Sequence, residues 1–81
     1  MKVYVVIDEW ITDYDNAIEV LGVYETLKSA KEKLKQEKEY VQSEIKYNVS
    51  EDTDDGWTGY FEGDYALYHT NIFIKEVEVQ K

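Results

Sequence analysis

The chain has no cysteine, no proline, a single histidine and only four glycines in 81 residues. Without cysteine there is no disulfide, no thiolate nucleophile and no Cys/His set spaced for a structural metal. Without proline nothing narrows the unfolded ensemble in advance, so packing alone must hold the fold. His69, with Ser29, Ser43 and Ser50 as the only serines, leaves little material for a nucleophilic triad. Gly22, Gly56, Gly59 and Gly63 match neither the Walker nor the dinucleotide spacing, which removes the common phosphate-binding loops. The longest apolar run is Val3 to Ile7, far short of the roughly 20 residues of a membrane span. After Met1-Lys2 the apolar stretch meets Asp8 and Glu9 too soon for a secretory signal, and the expected compartment is the reducing cytoplasm.

What the chain does have is aromatic side chains and acid. Twelve aromatics and a 43% apolar fraction are enough for one folded core, and a chain this short has room for only one domain, residues 1 to 81. The net charge is −9, unevenly placed. Residues 26 to 46 carry six lysines and four glutamates, or +2, while the remaining 60 residues carry three lysines and 14 acids, or −11. Such a field repels nucleic-acid phosphates and anionic membrane surfaces. It attracts a protein with a basic surface, although acidity that serves only solubility is the plainer explanation.

Val3 to Trp10 reads as a strand rich in β-branched residues, with Val3, Val5 and Ile7 on one face and Tyr4, Val6 and Asp8 on the other. The turn-forming stretch Thr12 to Asn16 reverses the chain into a second strand, Ala17 to Tyr24, in which Gly22 marks a bulge. Thr26 is placed to cap a helix whose apolar stripe is Leu27, Ala30, Leu34, Val41 and Ile45, with the stems of Glu37 and Lys38 filling its one gap. Asn48 to Gly56 reads as an acidic loop. Trp57 to Phe61 and Tyr65 to Tyr68 suggest a second hairpin about Glu62-Gly63-Asp64, and Asn71 to Val79 closes the chain as a strand.

This order predicts a small two-layer α+β domain, an antiparallel sheet of three to five strands with one long helix on one face. Tyr4, Val6, Trp10, Phe73, Val77 and Val79 further predict that the second sheet face is partly apolar, to be covered by the aromatic segment 57 to 68 or by a second subunit.

The candidate interaction residues are the acids Asp8, Glu9, Asp13 and Asp15 of the first turn, and Asp52, Asp54, Asp55, Glu62 and Asp64 around the aromatic pair Trp57 and Tyr60. Tyr and Trp are favoured at protein interfaces, but in so short a chain they are also needed for the core. Gly56 and Glu62 fall at positions six and twelve of a calcium loop beginning at Glu51, yet position one is Glu, position three is Thr53, and a strand follows where a helix is required. An ordinary acidic loop fits better. Acid pairs such as Asp8-Glu9 and Asp13-Asp15 could serve proton transfer, but pairs are abundant among 18 acids.

The opening MKVYVVIDEW, the segment LGVYETLKSAKEKL and the closing IFIKEVEV resemble a class of short, uncharacterised proteins of bacteria and their phages. The resemblance covers both ends but not residues 47 to 70. It implies the strand, strand, helix, strand order and a phage or mobile-element origin, and it supplies no activity, cofactor or functional residue. The function expected from all of this is that of a non-enzymatic, cofactor-free protein-binding module directed at a basic partner, in its sharpest form a modulator of a host nucleic-acid-binding protein. The alternatives are a homodimer or larger homo-oligomer of accessory role, and a weak calcium-binding domain.

Overall fold

The computed structural model describes residues 1–12, 16–44, 48–62 and 67–80. Five strands and one helix follow in the order β1 (Lys2–Ile11), β2 (Asn16–Tyr24), α1 (Leu27–Glu44), β3 (Asn48–Asp52), β4 (Gly56–Glu62) and β5 (Leu67–Glu78). The strands form one antiparallel sheet in the order β2-β1-β5-β4-β3, which places β1 and β5 at the centre and β2 and β3 at the two edges. The helix α1 links one edge strand to the other and packs on one face of the sheet, over β2, β1 and β5. The predicted two-layer α+β domain is the architecture found.

Thr26 caps the helix as expected, its Oγ1 accepting the Ser29 N–H at 3.2 Å. Ala30 and Leu34 of the predicted stripe are fully buried and Val41 is half-buried, whereas Leu27 at the first turn stays exposed. Ile45 lies outside the described residues. These helix residues pack on Val6, Trp57 and Ile72, with Tyr4, Leu21, Tyr24 and Ile74 around them.

The strand faces differ from the predicted ones. Tyr4 and Val6 turn to the helix, together with Ile72 and Ile74 of β5, while Val3, Val5 and Ile7 lie on the open side with Phe73 and Val77. The reason is that β1 is apolar on both faces, so alternation alone offers no contrast by which to orient it. Residues 48 to 52 are a strand instead of part of a loop. All five are exposed, but the backbone pairs with β4 from Asn48↔Tyr60 to Asp52↔Trp57, and main-chain bonding sustains an edge strand that polar side chains conceal. The closing strand is also longer than expected, starting at Leu67 and ending at Glu78, just short of Val79; the expected turn residues Gly63 and Asp64 and the start of the Tyr65 strand lie outside the described residues.

The predicted bulge is present. Val6 pairs with Gly22 and Ile7 with Val20, leaving Leu21 as the extra residue and swinging it toward the core. Gly22 is needed for the neighbouring ring rather than for its backbone angles. A Cβ at residue 22 would stand 2.7–2.9 Å from the Tyr24 ring and hydroxyl. Gly22→Ala is therefore expected to displace Tyr24 from the core edge and to lower stability by about 1–2 kcal/mol, read as the urea midpoint at unchanged m-value.

Candidate functional site

Alternation along β1 brings Tyr4, Val6, Asp8 and Trp10 to the helix side, so one carboxylate interrupts an otherwise apolar row. Antiparallel pairing sets Glu19 of β2 opposite Asp8 and Thr70 of β5 opposite Trp10. From above, Glu37, Tyr40, Val41 and Glu44 come down from the last turns of α1, their spacing of three, one and three keeping them on one side of the helix. Together these eight residues enclose a recess of about 340 Å³. That volume lies at the lower edge of the roughly 300–1,000 Å³ of small-ligand clefts.

Asp8 sits at the floor, 3% exposed. Its Oδ2 accepts the Trp10 indole N–H at 3.2 Å, while Oδ1 is enclosed and has no hydrogen-bond partner. Burial pushes the Asp8 carboxyl up to about 6; the Trp10 hydrogen bond pulls the other way, and the charges of Glu37 and Glu19 push it further up. Lys33, one turn earlier on the helix, stands 4.0 Å from the Glu37 carboxylate. The recess thus gathers four carboxylates, of which Glu19 and Glu44 are exposed, together with Trp10 and Tyr40, which are both open to solvent.

The predicted acidic surface divides into several unlike pieces. Glu9 points to the open face and accepts the Asn71 side-chain amide at 3.2 Å. Asp52 and Asp54 reach back to the helix, to Lys38 Nζ at 2.6 Å and Lys31 Nζ at 3.0 Å. Asp55 accepts the Thr53 hydroxyl at 2.8 Å within the β3–β4 turn. Trp57, a candidate for either an interface or the core, is 1% exposed and belongs to the core, whereas Tyr60 stands on the open face with its ring 6.2 Å from that of His69. Asp13, Asp15 and Asp64 lie outside the described residues, as does the side chain of Glu62. The calcium arrangement is not formed between Glu51 and Gly56: two of its carboxylates engage lysines, β4 follows where a helix would be required, and no three acidic or histidine side chains among the described residues gather as metal ligands.

Two other surfaces lie apart from the recess. A groove of about 500 Å³ follows the first half of α1, with Leu27 and Leu34 in its floor and Lys31 and Lys38 on its rim already paired with the β3–β4 turn. Across the sheet lies the open face. Val3, Val5, Ile7, Phe73 and Val77 at its centre are half-buried, and Ile18, Val20 and Val23 of β2 are exposed by 67, 58 and 59%. No described element packs on it, since the helix contacts β1, β2 and β5 from the other side.

Sequence reasoning singled out Asp8 but missed Glu19, Glu37, Tyr40, Glu44 and Thr70. One signal was present: Asp8 breaks the Tyr4-Val6-Trp10 row, and an acid on a face otherwise built for burial needs an explanation. Among the described residues no helix is long and apolar enough to cross a membrane. Comparison of the chain with protein-family models, with curated proteins and with solved structures gives no match.

Proposed function

We propose that the chain is a non-enzymatic protein-binding module whose contact surface is the open face of its sheet. One observation carries this reading. Eight apolar side chains, Val3, Val5, Ile7, Ile18, Val20, Val23, Phe73 and Val77, form a continuous patch over three neighbouring strands, and a patch of that kind usually marks an interface. Burying it would contribute the hydrophobic part of binding, and the net charge of −9 would select a partner with basic groups around its own apolar patch. In its sharper form the partner is a host nucleic-acid-binding protein in the cytoplasm, held away from its phosphates by a chain of phage or mobile-element origin. The acidity and the absence of cysteine support that form.

A second copy of the chain is the rival occupant, favoured by the near-balance of charge on the face itself, where Glu9 and Lys75 are the charged side chains of the central strands. Salt tells the two apart. Raising it screens attraction to a basic partner but also screens the repulsion between two acidic copies, so partner binding weakens whereas self-association strengthens.

The test compares the wild-type chain with the double variant Ile18→Glu, Val23→Glu, both sites being exposed enough that the fold itself should lose less than about 1 kcal/mol. A protein retained from the source-cell lysate by immobilised wild type and lost on the double variant, with retention falling as salt rises, is the expected result. Equal retention by both overturns the reading. Light scattering that shows a wild-type dimer strengthened by salt, and a monomeric variant, transfers the face to the second copy.

A further inference from the structure

We propose that the recess under the second half of α1 is a binding site for a guanidinium group, supplied by an arginine side chain of a polypeptide partner. The site lies across the sheet from the open face, so it stands or falls independently of the reading given above. Three observations bear on it. The first is Asp8, whose Oδ1 is buried without a partner at the floor of the recess. Buried polar atoms in folded proteins are nearly always satisfied, and an unsatisfied carboxylate on a residue that lines a cleft marks a donor that comes from elsewhere.

The second observation is the sign of everything around it. Glu19 faces Asp8 from β2, Glu37 and Glu44 face it from α1, and the polar groups from β1 and β5 are the Trp10 indole and the Thr70 hydroxyl, which are neutral. One lysine pairs with this group among the described residues, Lys33, whose Nζ lies 4.0 Å from the Glu37 carboxylate. Among the described residues no ion pair beyond Lys33–Glu37 offsets the convergence of these four acids, and their mutual repulsion opposes folding. A bound cation reverses the sign of that balance.

The third is the shape of the walls, which selects the cation. A bare divalent ion would need three or more oxygens drawn within about 2.0–2.6 Å, and the described side chains provide no such cluster. The rings of Trp10 and Tyr40 instead flank the entrance, both substantially exposed. A planar guanidinium can stack against such rings while its five donors serve two acceptors at once, here the carboxylates of Asp8 and Glu37. An ammonium lacks the plane and the fork, so lysine should bind less well.

The experiment is a titration of the ¹⁵N-labelled chain with Nα-acetyl-arginine amide, the Nα-acetyl-lysine amide and the uncharged Nα-acetyl-citrulline amide, followed at the indole N–H resonances. Trp10 should move saturably with the arginine compound, less with lysine and not with citrulline, while Trp57 in the core stays still. Asp8→Asn should weaken arginine binding about tenfold, the loss of one charge-assisted hydrogen bond, and Glu37→Gln should weaken it several-fold. Binding should also strengthen from pH 5 to pH 7 as Asp8 loses its proton. A citrulline shift equal to that of arginine, or an Asp8→Asn variant that binds as well as wild type, overturns the proposal; a free arginine compound that binds while an Ala-Arg-Ala peptide does not would replace the polypeptide partner by a small guanidine ligand.

Discussion

Trp57→Ala is expected to cost about 3–5 kcal/mol, enough to leave a large part of the population unfolded at 37 °C. The magnitude follows from how few side chains hold this domain. Only Val6, Ala30, Leu34, Trp57 and Ile72 are fully buried apolar residues among those described, and Trp57 is by far the largest of them. It sits on β4 directly beside Ile72 of β5, on the sheet face that the helix covers, in one cluster with Ala30 and Leu34. Removing the indole opens a cavity that neither the sheet backbone nor the one covering helix can collapse into. No disulfide offsets the loss, because the chain has no cysteine. Trp57→Phe keeps most of the buried area and should lose about half as much or less. Tyr60→Ala, on the same strand but facing the open side, should lose less than about 1 kcal/mol. Urea unfolding followed by far-ultraviolet circular dichroism checks all three, and an alanine variant within 1 kcal/mol of wild type would show that the core lies elsewhere.

The same residues show what could be read in advance and what could not. The helix was legible because Thr26, Ala30, Leu34 and Val41 carry a capping group and a stripe that only a period near 3.6 explains. The first hairpin was legible from two apolar runs about an Asp- and Asn-rich turn. The orientation of β1 was not, since a central strand apolar on both sides presents two equivalent stripes and only the helix decides between them. β3 was hidden because its side chains Asn48, Ser50, Glu51 and Asp52 resemble a turn, and the bonds that make it a strand belong to β4.

The recess was hidden in a related way. Charge counted along the chain placed one acidic surface on the non-helical part. In three dimensions Asp52 and Asp54 fold back onto Lys38 and Lys31, and the acids that do converge on Asp8 include Glu37 and Glu44 of the helix, the segment with a net positive charge. Net charge per segment says little about local potential once a helix presents lysines to one neighbour and glutamates to another. The recess is assembled from four elements far apart in sequence, so no spacing within the chain reveals it.

Asp8→Asn should make the protein more stable at neutral pH. The carboxyl of Asp8 has its folded value raised to about 6 from an ordinary 3.8, chiefly because burial opposes its charge. In the range between those values the folded state binds more protons than the unfolded state, so stability falls as the pH rises from 4 to 6 and the loss is complete above 6. Asparagine is neutral throughout and its side-chain oxygen can still accept the Trp10 indole N–H, so the variant escapes the loss without giving up the hydrogen bond. The expected gain at pH 7.5 is about 1–3 kcal/mol. In a domain of this size that is a rise of roughly 5–15 °C in Tm. Well below pH 3.8 the two proteins should melt together, because Asp8 is then protonated in both the folded and the unfolded chain. Paired thermal melts from about pH 3 to about pH 7.5 measure the difference directly. A variant less stable than wild type at pH 7.5 would mean that the charge of Asp8 supports the fold, and that the recess is structural. A gain that disappears on acidification would instead mark a charge kept in place against the stability of the free protein, as expected of a carboxylate held ready for a cation that folding alone does not supply.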